Sequence, residues 1–242
     1  MRYTFRISKR TYGSYCGIAR ALEIVGERWA LLVVRDLIQG PKRFTDLRRG
    51  LPRIPSNVLS ARLKELEAAG VICAIVAVGL VKTAGVICRR LLPRPSTGIV
   101  YELTEYGREL EDIVLGLGLW GARLLGEPRL DDSVNPDSMM LALRATFRPE
   151  AARDLRASYE LRLGEIVLHA RVDTGRLEVG EGPPPEADLV VETDLTLRAL
   201  MCGELSPREA VKTGRVRLTG RPDLLDRFVE VFRIPPAPVL AA

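Results

Sequence analysis

The spacing of hydrophobic and polar positions changes about half-way along the chain. Before residue 126, apolar residues recur every three or four positions, which predicts helices over residues 16–25, 29–38, 44–49, 54–69 and 104–125. After residue 138, short alternating stretches predict strands at 139–147, 157–163, 165–172, 175–179, 187–192 and 215–219. Helical spacing returns at 195–201, 206–213 and 222–232. The predicted fold class is therefore α+β, a helical front followed by a rear part with an antiparallel sheet.

The stretch between the two patterns is predicted to be a linker. Residues 126–138, GEPRLDDSVNPDS, carry two prolines and three aspartates and little periodicity. We therefore expect a front domain over 1–125 and a rear domain over 139–242. Residues 1–70 have a net charge of +8 and residues 131–242 one of −4. This division indicates that the front domain meets a polyanion, although chance scatter of surface charge would give the same difference.

Few residues are suited to catalysis or metal binding. The chain has one histidine, His169, and its four cysteines form no CxxC pair, so neither a zinc site, a disulfide scaffold nor a catalytic triad is expected. We predict no enzyme activity, no metal and no cofactor. The longest apolar run, residues 71–81, is too short to span a bilayer, and the first residues do not resemble a secretory signal. We expect a cytoplasmic protein without a membrane partner.

The segment 54–69 has the properties of a DNA-recognition helix. Leu59, Leu63 and Leu66 share one face, and Pro55-Ser56-Asn57 offers a capping side chain at its start. The other face and the flanking turns carry groups that could contact base edges or phosphates, and the candidates are Arg43, Arg53, Ser56, Asn57, Ser60, Ala61 and Lys64. A small helical bundle with a solvated basic face would show the same spacing.

The front domain resembles the HxlR-type winged-helix transcriptional regulators. The matching stretches are CGIARALEIVGERWALLVVRDLIQGPKRFTDLRRGLPRIPSNVLSARLKELEAAGVI and, later, YELTEYGREL followed by LWG. The resemblance implies a winged helix-turn-helix, a homodimer formed by helices 16–25 and 104–125, and a near-palindromic double-stranded DNA operator. It also implies that wing arginines, Arg89, Arg90 and Arg94, reach the flanking DNA.

Cys16 matches the N-terminal cysteine that some members of this family use to sense oxidants or electrophiles. A thiol near basic residues and a helix start has a lowered pKa and is reactive. The alternative is that Cys16 is a small apolar residue of the dimer interface.

The rear domain resembles the sterol-carrier-protein (type 2) fold, most clearly from Ala187 onward. That resemblance implies an apolar tunnel for a hydrophobic small molecule. The candidate lining residues are Leu197, Leu200, Met201, Val211, Val216, Leu218, Leu225 and Phe228. The same side chains could equally be an ordinary core.

Together these features predict a homodimeric DNA-binding transcriptional regulator, expected to be a repressor, that responds to a hydrophobic small molecule through its rear domain. The alternative is a lipid-binding carrier whose helical half only dimerises.

One stretch departs from the family pattern. The residues AGVIC occur twice, at 69–73 and 84–88, and removal of residues 73–87 restores the usual spacing between the recognition helix and YELT. We interpret residues 73–87 as an insertion in the wing. Either Gly70 or Gly85 could precede the ordinary wing strand. The other copy would then form an extra hairpin or loop, or a new self-association contact.

Overall fold

The computed structural model of the chain describes residues 11–76, 82–83, 86–87, 99–126, 132, 134–194 and 196–236. The chain divides into two compact units, Met1–Val114 and Leu115–Ala242. Within the described ranges, no helix is both long and apolar enough to cross a membrane.

The front unit begins with four helices that confirm the predicted ones to within two residues. They are α1 (Gly17–Val25), α2 (Ala30–Ile38), α3 (Phe44–Gly50) and α4 (Ser56–Ala68). Each forms because its apolar positions fall on one stripe, and that of α4 is fully buried at Leu59, Leu63 and Leu66. Helix α4 ends where Gly70 adopts a positive φ of 72°, a conformation that glycine accepts without strain.

A three-stranded antiparallel sheet completes the front unit. Its strands are β1 (Lys42–Arg43), β2 (Ile72–Val76) and β5 (Ile99–Leu103), in the order β1-β5-β2. Strand β1 lies between α2 and α3, and β2 follows α4 directly. Helices α2, α3 and α4 followed by the strand pair β2–β5 form a winged helix-turn-helix.

The structure decides which copy of AGVIC begins the wing. The first copy supplies β2, in which Ile72 pairs with Leu103 and Cys73 with Glu102. The second copy supplies β4 (Val86–Ile87), which pairs with β3 (Lys82–Thr83) in a separate two-stranded sheet. Gly70 therefore precedes the ordinary wing strand. Cys73 takes part in a disulfide, a crosslink that the wide spacing of the four cysteines did not predict.

The single long helix predicted over residues 104–125 is wrong. The structure contains two helices there, α5 (Glu105–Arg108) and α6 (Glu111–Ala122). Thr104 caps α5, because its hydroxyl oxygen accepts a hydrogen bond from the Gly107 amide at 3.0 Å. The same hydroxyl donates to the carbonyl oxygen of Gly70 at 2.6 Å, which ties the start of α5 to the end of the recognition helix.

The rear unit contains a five-stranded sheet in the order β10-β9-β6-β7-β8. The strands are β6 (Arg156–Leu163), β7 (Ile166–Asp173), β8 (Arg176–Glu181), β9 (Leu189–Thr193) and β10 (Arg217–Gly220). The expectation of a purely antiparallel sheet needs one correction, because β6 and β9 run parallel. Alternation within each strand identifies its buried face but not the direction of its neighbours.

The helices of the rear unit are α7 (Pro136–Thr146), a short 3-10 helix (Pro149–Ala152), α8 (Thr196–Cys202), α9 (Pro207–Lys212) and α10 (Asp223–Val231). The strand predicted over residues 139–147 is wrong, because residues 139–146 belong to α7. Asn135 and Ser138 form a capping box at its start, within the stretch interpreted as a linker. The buried core centres on Tyr159, Phe228 and Phe232, and the Phe228 ring contacts both of the others.

Candidate nucleic-acid interface

Helix α4 separates a buried apolar face from an outward polar face. Leu59, Leu63 and Leu66 are each at most 2% exposed. On the other side Ser56, Asn57 and Lys64 are exposed, and Ser60 and Ala61 are half-buried. All five predicted α4 residues therefore share one accessible surface. An amide, hydroxyls and an ammonium on one helix face can contact base edges or phosphates in a major groove.

The start of α4 differs from the prediction in one respect. The N-cap position is Pro55, in an extended conformation, and no side chain caps the helix there. Ser56 and Asn57 are instead the first two helical residues. Ser60 donates its hydroxyl to the carbonyl oxygen of Ser56 at 2.9 Å, so this hydroxyl keeps its oxygen as an acceptor. First-turn amides without a side-chain cap can bind a phosphate.

Arg43 and Arg53 flank the recognition helix and are both exposed. Arg43 is held by its backbone, since it pairs with Val100 of β5 and its amide donates to Asp46 Oδ2 at 3.1 Å. Arg53 lies in the turn between α3 and α4. Both positions suit contacts to the DNA backbone, which carry affinity rather than sequence information. The wing arginines Arg89, Arg90 and Arg94 lie outside the described residues.

Sequence reasoning missed one charged residue of α4. The Arg62 guanidinium lies 2.6 Å from Glu65 Oε2 and 3.5 Å from Glu27 Oε2, and its side chain is only 14% exposed. The sequence did contain a signal for the pair with Glu65, because Arg62 and Glu65 are three positions apart on a helix. The contact with Glu27 depends on the tertiary structure and could not be anticipated from spacing.

Comparison with known proteins identifies the family. Residues 24–80 match the model of the HxlR-like helix-turn-helix family. The chain is 36% identical over 105 residues to YtcD of Bacillus subtilis, an uncharacterized HTH-type transcriptional regulator, covering 43% of this chain and 71% of YtcD. It is 31% identical over 112 residues to YvaP of the same organism, covering 46% of this chain and 90% of YvaP.

The chain belongs to the HxlR family.

The crystal structure of YtcD matches with a TM-score of 0.34 at 34% identity, covering 44% of this chain and 94% of that one. Another relative is the HTH-type transcriptional regulator YodB of Bacillus subtilis, 30% identical over 100 residues, which cover 41% of this chain and 76% of YodB. The protein is accordingly a DNA-binding transcriptional regulator.

Cys16 of this HxlR-family chain is exposed and immediately precedes α1. Hydrogen bonds from the backbone amides of Ala19 and Ile18 stabilise the thiolate and lower the pKa of Cys16. Cys202 shows the opposite effect, because burial raises the pKa of its thiol. Among the described side chains, no group of three or more His, Cys, Asp or Glu could hold a metal ion.

The predicted apolar lining residues of the rear unit fall into two overlapping groups. Six of them pack in its buried core, namely Leu197, Leu200, Met201, Val216, Leu225 and Phe228. Val211, Leu218 and one edge of Leu225 line a surface groove of about 900 Å³ between α9, α10 and β10. The groove has basic residues, Arg208 and Lys212, on its α9 side and acidic residues, Asp223 and Asp226, on its α10 side.

Proposed function

We propose that this HxlR-family protein acts as a homodimeric repressor that presents two copies of α4 to a near-palindromic operator. The outward face of α4 carries the proposal, because Ser56, Asn57 and Lys64 project from it above a buried leucine face. Asn57 suits a bidentate contact with adenine, and Lys64 a contact with guanine or phosphate. Arg43 and Arg53, with the wing arginines, would hold the helix in register on the DNA backbone.

Exposed apolar side chains on two helices support the homodimer. Ile18 of α1 is 73% exposed, and Tyr15 just before it is fully exposed. Helix α6 exposes Ile113, Leu117 and Trp120 to a similar degree. Large apolar side chains repeated along one helix commonly mark a protein interface, and a second copy of the chain is the partner that the resemblance implies.

DNA recognition can be tested with a duplex that the full-length chain selects from a randomised pool. Fluorescence anisotropy would compare this duplex with a scrambled one over a range of salt concentrations. Asn57→Ala should weaken binding to the selected duplex by about 1–3 kcal/mol and leave the scrambled duplex unaffected. Lys64→Ala should weaken binding and, where Lys64 meets a phosphate, lower the salt slope by about 1.

Arg176→Ala is the control for this test, because it removes an exposed basic residue of β8 that lies outside the groove. It should leave both affinities unchanged. Equal binding of wild type and Asn57→Ala/Lys64→Ala to the selected duplex would contradict the assignment of α4 as the reading helix.

The rear unit is proposed to be sterol-carrier-like and to bind a hydrophobic small molecule. The groove supports this proposal, because Val211, Leu218 and Leu225 supply an apolar floor and charged residues border it. An occupant that alters the geometry of the dimer would shift the spacing of the two α4 helices. Since operator half-sites have fixed spacing, such a shift would weaken several contacts together.

Ligand binding can be tested with cis-parinaric acid, a fatty acid that fluoresces in apolar surroundings. Saturable binding that Leu218→Arg abolishes, together with a change in affinity for the selected duplex, would support the effector role. Arg176→Ala, an exposed change in β8, serves as the control. Saturable binding without any change in DNA affinity would refute the coupling while leaving DNA recognition by α4 intact.

Cys16 is proposed as a second input to the regulator. Its exposure and its lowered pKa favour reaction with oxidants or electrophiles. The relative YodB has been crystallised in a quinone-bound form. Loss of operator affinity on diamide treatment, absent in Cys16→Ser, is the expected result. An unchanged affinity would leave Cys16 as a residue of the dimer interface.

A further inference from the structure

Arg62 lies on the side of α4, between the buried leucine face and the DNA-reading face. At about 100° per residue, it is turned by roughly 100–160° from Asn57, Ala61 and Lys64. Its guanidinium pairs with Glu65 of the same helix at 2.6 Å and also reaches the loop between α1 and α2, where Glu27 lies 3.5 Å away. The Arg62 side chain is 14% exposed and that of Glu27 is 39% exposed, so the guanidinium end of this ion pair is shielded from solvent while the carboxylate end is accessible.

The loop that holds Glu27 is itself fixed. The Glu27 carbonyl oxygen accepts a hydrogen bond from the Ala30 amide at 3.0 Å, at the start of α2. The Gly26 amide donates to Leu22 of α1 at 2.9 Å. The guanidinium of Arg28 lies 5.4 Å from the centre of the Trp29 ring, which stiffens the same turn. The backbone of Glu27 is therefore held in place, and the Arg62 side chain of α4 can be oriented by its contact with Glu27.

We propose that Arg62 is a positioning residue for DNA recognition, which sets the orientation of α4 through its ion pair with Glu27. The leucines of α4 hold the helix in the core, but an apolar stripe permits small rotations and shifts along the helix axis. An ion pair to a nearly buried guanidinium at one side of the stripe restricts those movements, because guanidinium–carboxylate contacts are directional. The DNA-reading face is then presented at one angle.

The test uses the full-length chain and the two duplexes described above. Glu27→Gln removes a negative charge close to a DNA-binding helix, so long-range electrostatics alone would strengthen binding. A positioning role predicts the opposite, a loss of about fivefold in affinity for the selected duplex and no change for the scrambled duplex. Arg62→Gln should cause a similar loss with an unchanged salt slope, because Arg62 makes no phosphate contact.

The double variant Glu27→Gln/Arg62→Gln should bind no more weakly than either single variant, since both remove one interaction. The charge swap Glu27→Arg/Arg62→Glu, made in a Glu65→Gln background so that the new glutamate does not face Glu65, should recover most of the affinity for the selected duplex. A residue needed only for stability would not show this recovery in DNA affinity. Glu65→Gln is the matched control, because Glu65 also pairs with Arg62 but lies on α4 itself and fixes no contact with the loop.

Three results would overturn the proposal. The first is a salt slope lowered by about 1 in Arg62→Gln with weaker binding of both duplexes, which would indicate a direct phosphate contact. The second is unchanged or tighter binding by Glu27→Gln. The third is a larger loss in Glu65→Gln than in Glu27→Gln. Glu27→Gln alone decides the question even where Arg62→Gln fails to fold, because Glu27 lies in a loop and is 39% exposed.

Discussion

Gly107 is the position at which one added methyl group should do most damage to the front unit. It lies in α5, against the chain that leaves the recognition helix. A Cβ atom there would overlap the carbonyl oxygen of Val71 and lie 2.9 Å from its carbonyl carbon and 3.3 Å from Leu103 Cδ2. Because the closest atoms belong to the backbone, no side-chain rotation can relieve the overlap. Helix α5 would have to move away from Val71.

The cost of Gly107→Ala can be worked from three contributions. Overpacking of this kind typically costs about 1–3 kcal/mol. Displacement of α5 also weakens the buried hydrogen bond from Thr104 to Gly70, which contributes about 0.5–1.5 kcal/mol. The higher helix propensity of alanine relative to glycine offsets up to about 1 kcal/mol of this destabilisation. We therefore expect a net loss of about 2 kcal/mol, or roughly 8 °C in Tm for a unit of this size.

The measurement should report on the front unit alone, because two units need not unfold together. The chain has two tryptophans, and Trp29 lies in the front unit while Trp120 lies in the rear one. Urea and thermal denaturation followed by Trp29 fluorescence in a Trp120→Phe background would give the free energy of unfolding of the front unit. Gly17→Ala is the control, because a Cβ there meets no atom within 4 Å. A loss below about 0.5 kcal/mol for Gly107→Ala would refute the close approach of α5 to Val71.

Three further predictions concern the rear core and two titratable groups. Phe228→Ala should destabilise the rear unit by about 3–5 kcal/mol in urea denaturation, because its buried ring contacts both Tyr159 and Phe232; a loss under about 1 kcal/mol would contradict this packing. Hydrogen bonds from Arg20 and from the Tyr12 amide lower the pKa of Glu23. The attachment of residues 11–13 to α1 should therefore be complete above a pH of about 4.3. It should be lost as the pH falls through the lowered pKa of Glu23 in the folded protein. The protection factor of the Tyr12 amide, its exchange rate divided into the intrinsic rate at the same pH, would follow this change, and Glu23→Gln should leave that factor low at every pH. Iodoacetamide at neutral pH should alkylate Cys16 faster than Cys202 by about tenfold or more, because the pKa of Cys16 is lowered and burial raises that of Cys202; equal rates by mass spectrometry would count against the pKa difference.

The recognition helix was predictable because several signals agree over a few residues. Leu59, Leu63 and Leu66 fix the buried face, Gly70 fixes the end, and the spacing places Asn57 and Lys64 opposite the leucines. The ion pair between Arg62 and Glu27 was not predictable, since it joins positions 35 residues apart that only the tertiary structure brings together. For the same reason, alternation revealed the strands of the rear sheet but not the parallel pairing of β6 with β9.

Two errors arose where local signals competed. The segment 139–147 suggested alternation, yet its buried residues Met140 and Leu143 are three apart, and Asn135 with Ser138 is a helix start signal that the linker interpretation overlooked. Helical spacing over residues 104–125 concealed the break between α5 and α6. Gly107 was the available warning, because its close approach to Val71 requires a residue without a side chain.

The pairing of the first AGVIC copy with β5 has a consequence for how this domain can change in length. Because β2 forms directly after α4, the additional residues enter the connection that leads from Val76 to Ile99. Lengthening such a connection from about 7 to about 22 residues costs only about 1 kcal/mol of loop-closure entropy. We therefore expect the wing connection to be a permissive site, at which duplication adds sequence while the strand pairing and the recognition helix stay in place. It is also the natural point at which to graft a peptide tag or a reporter.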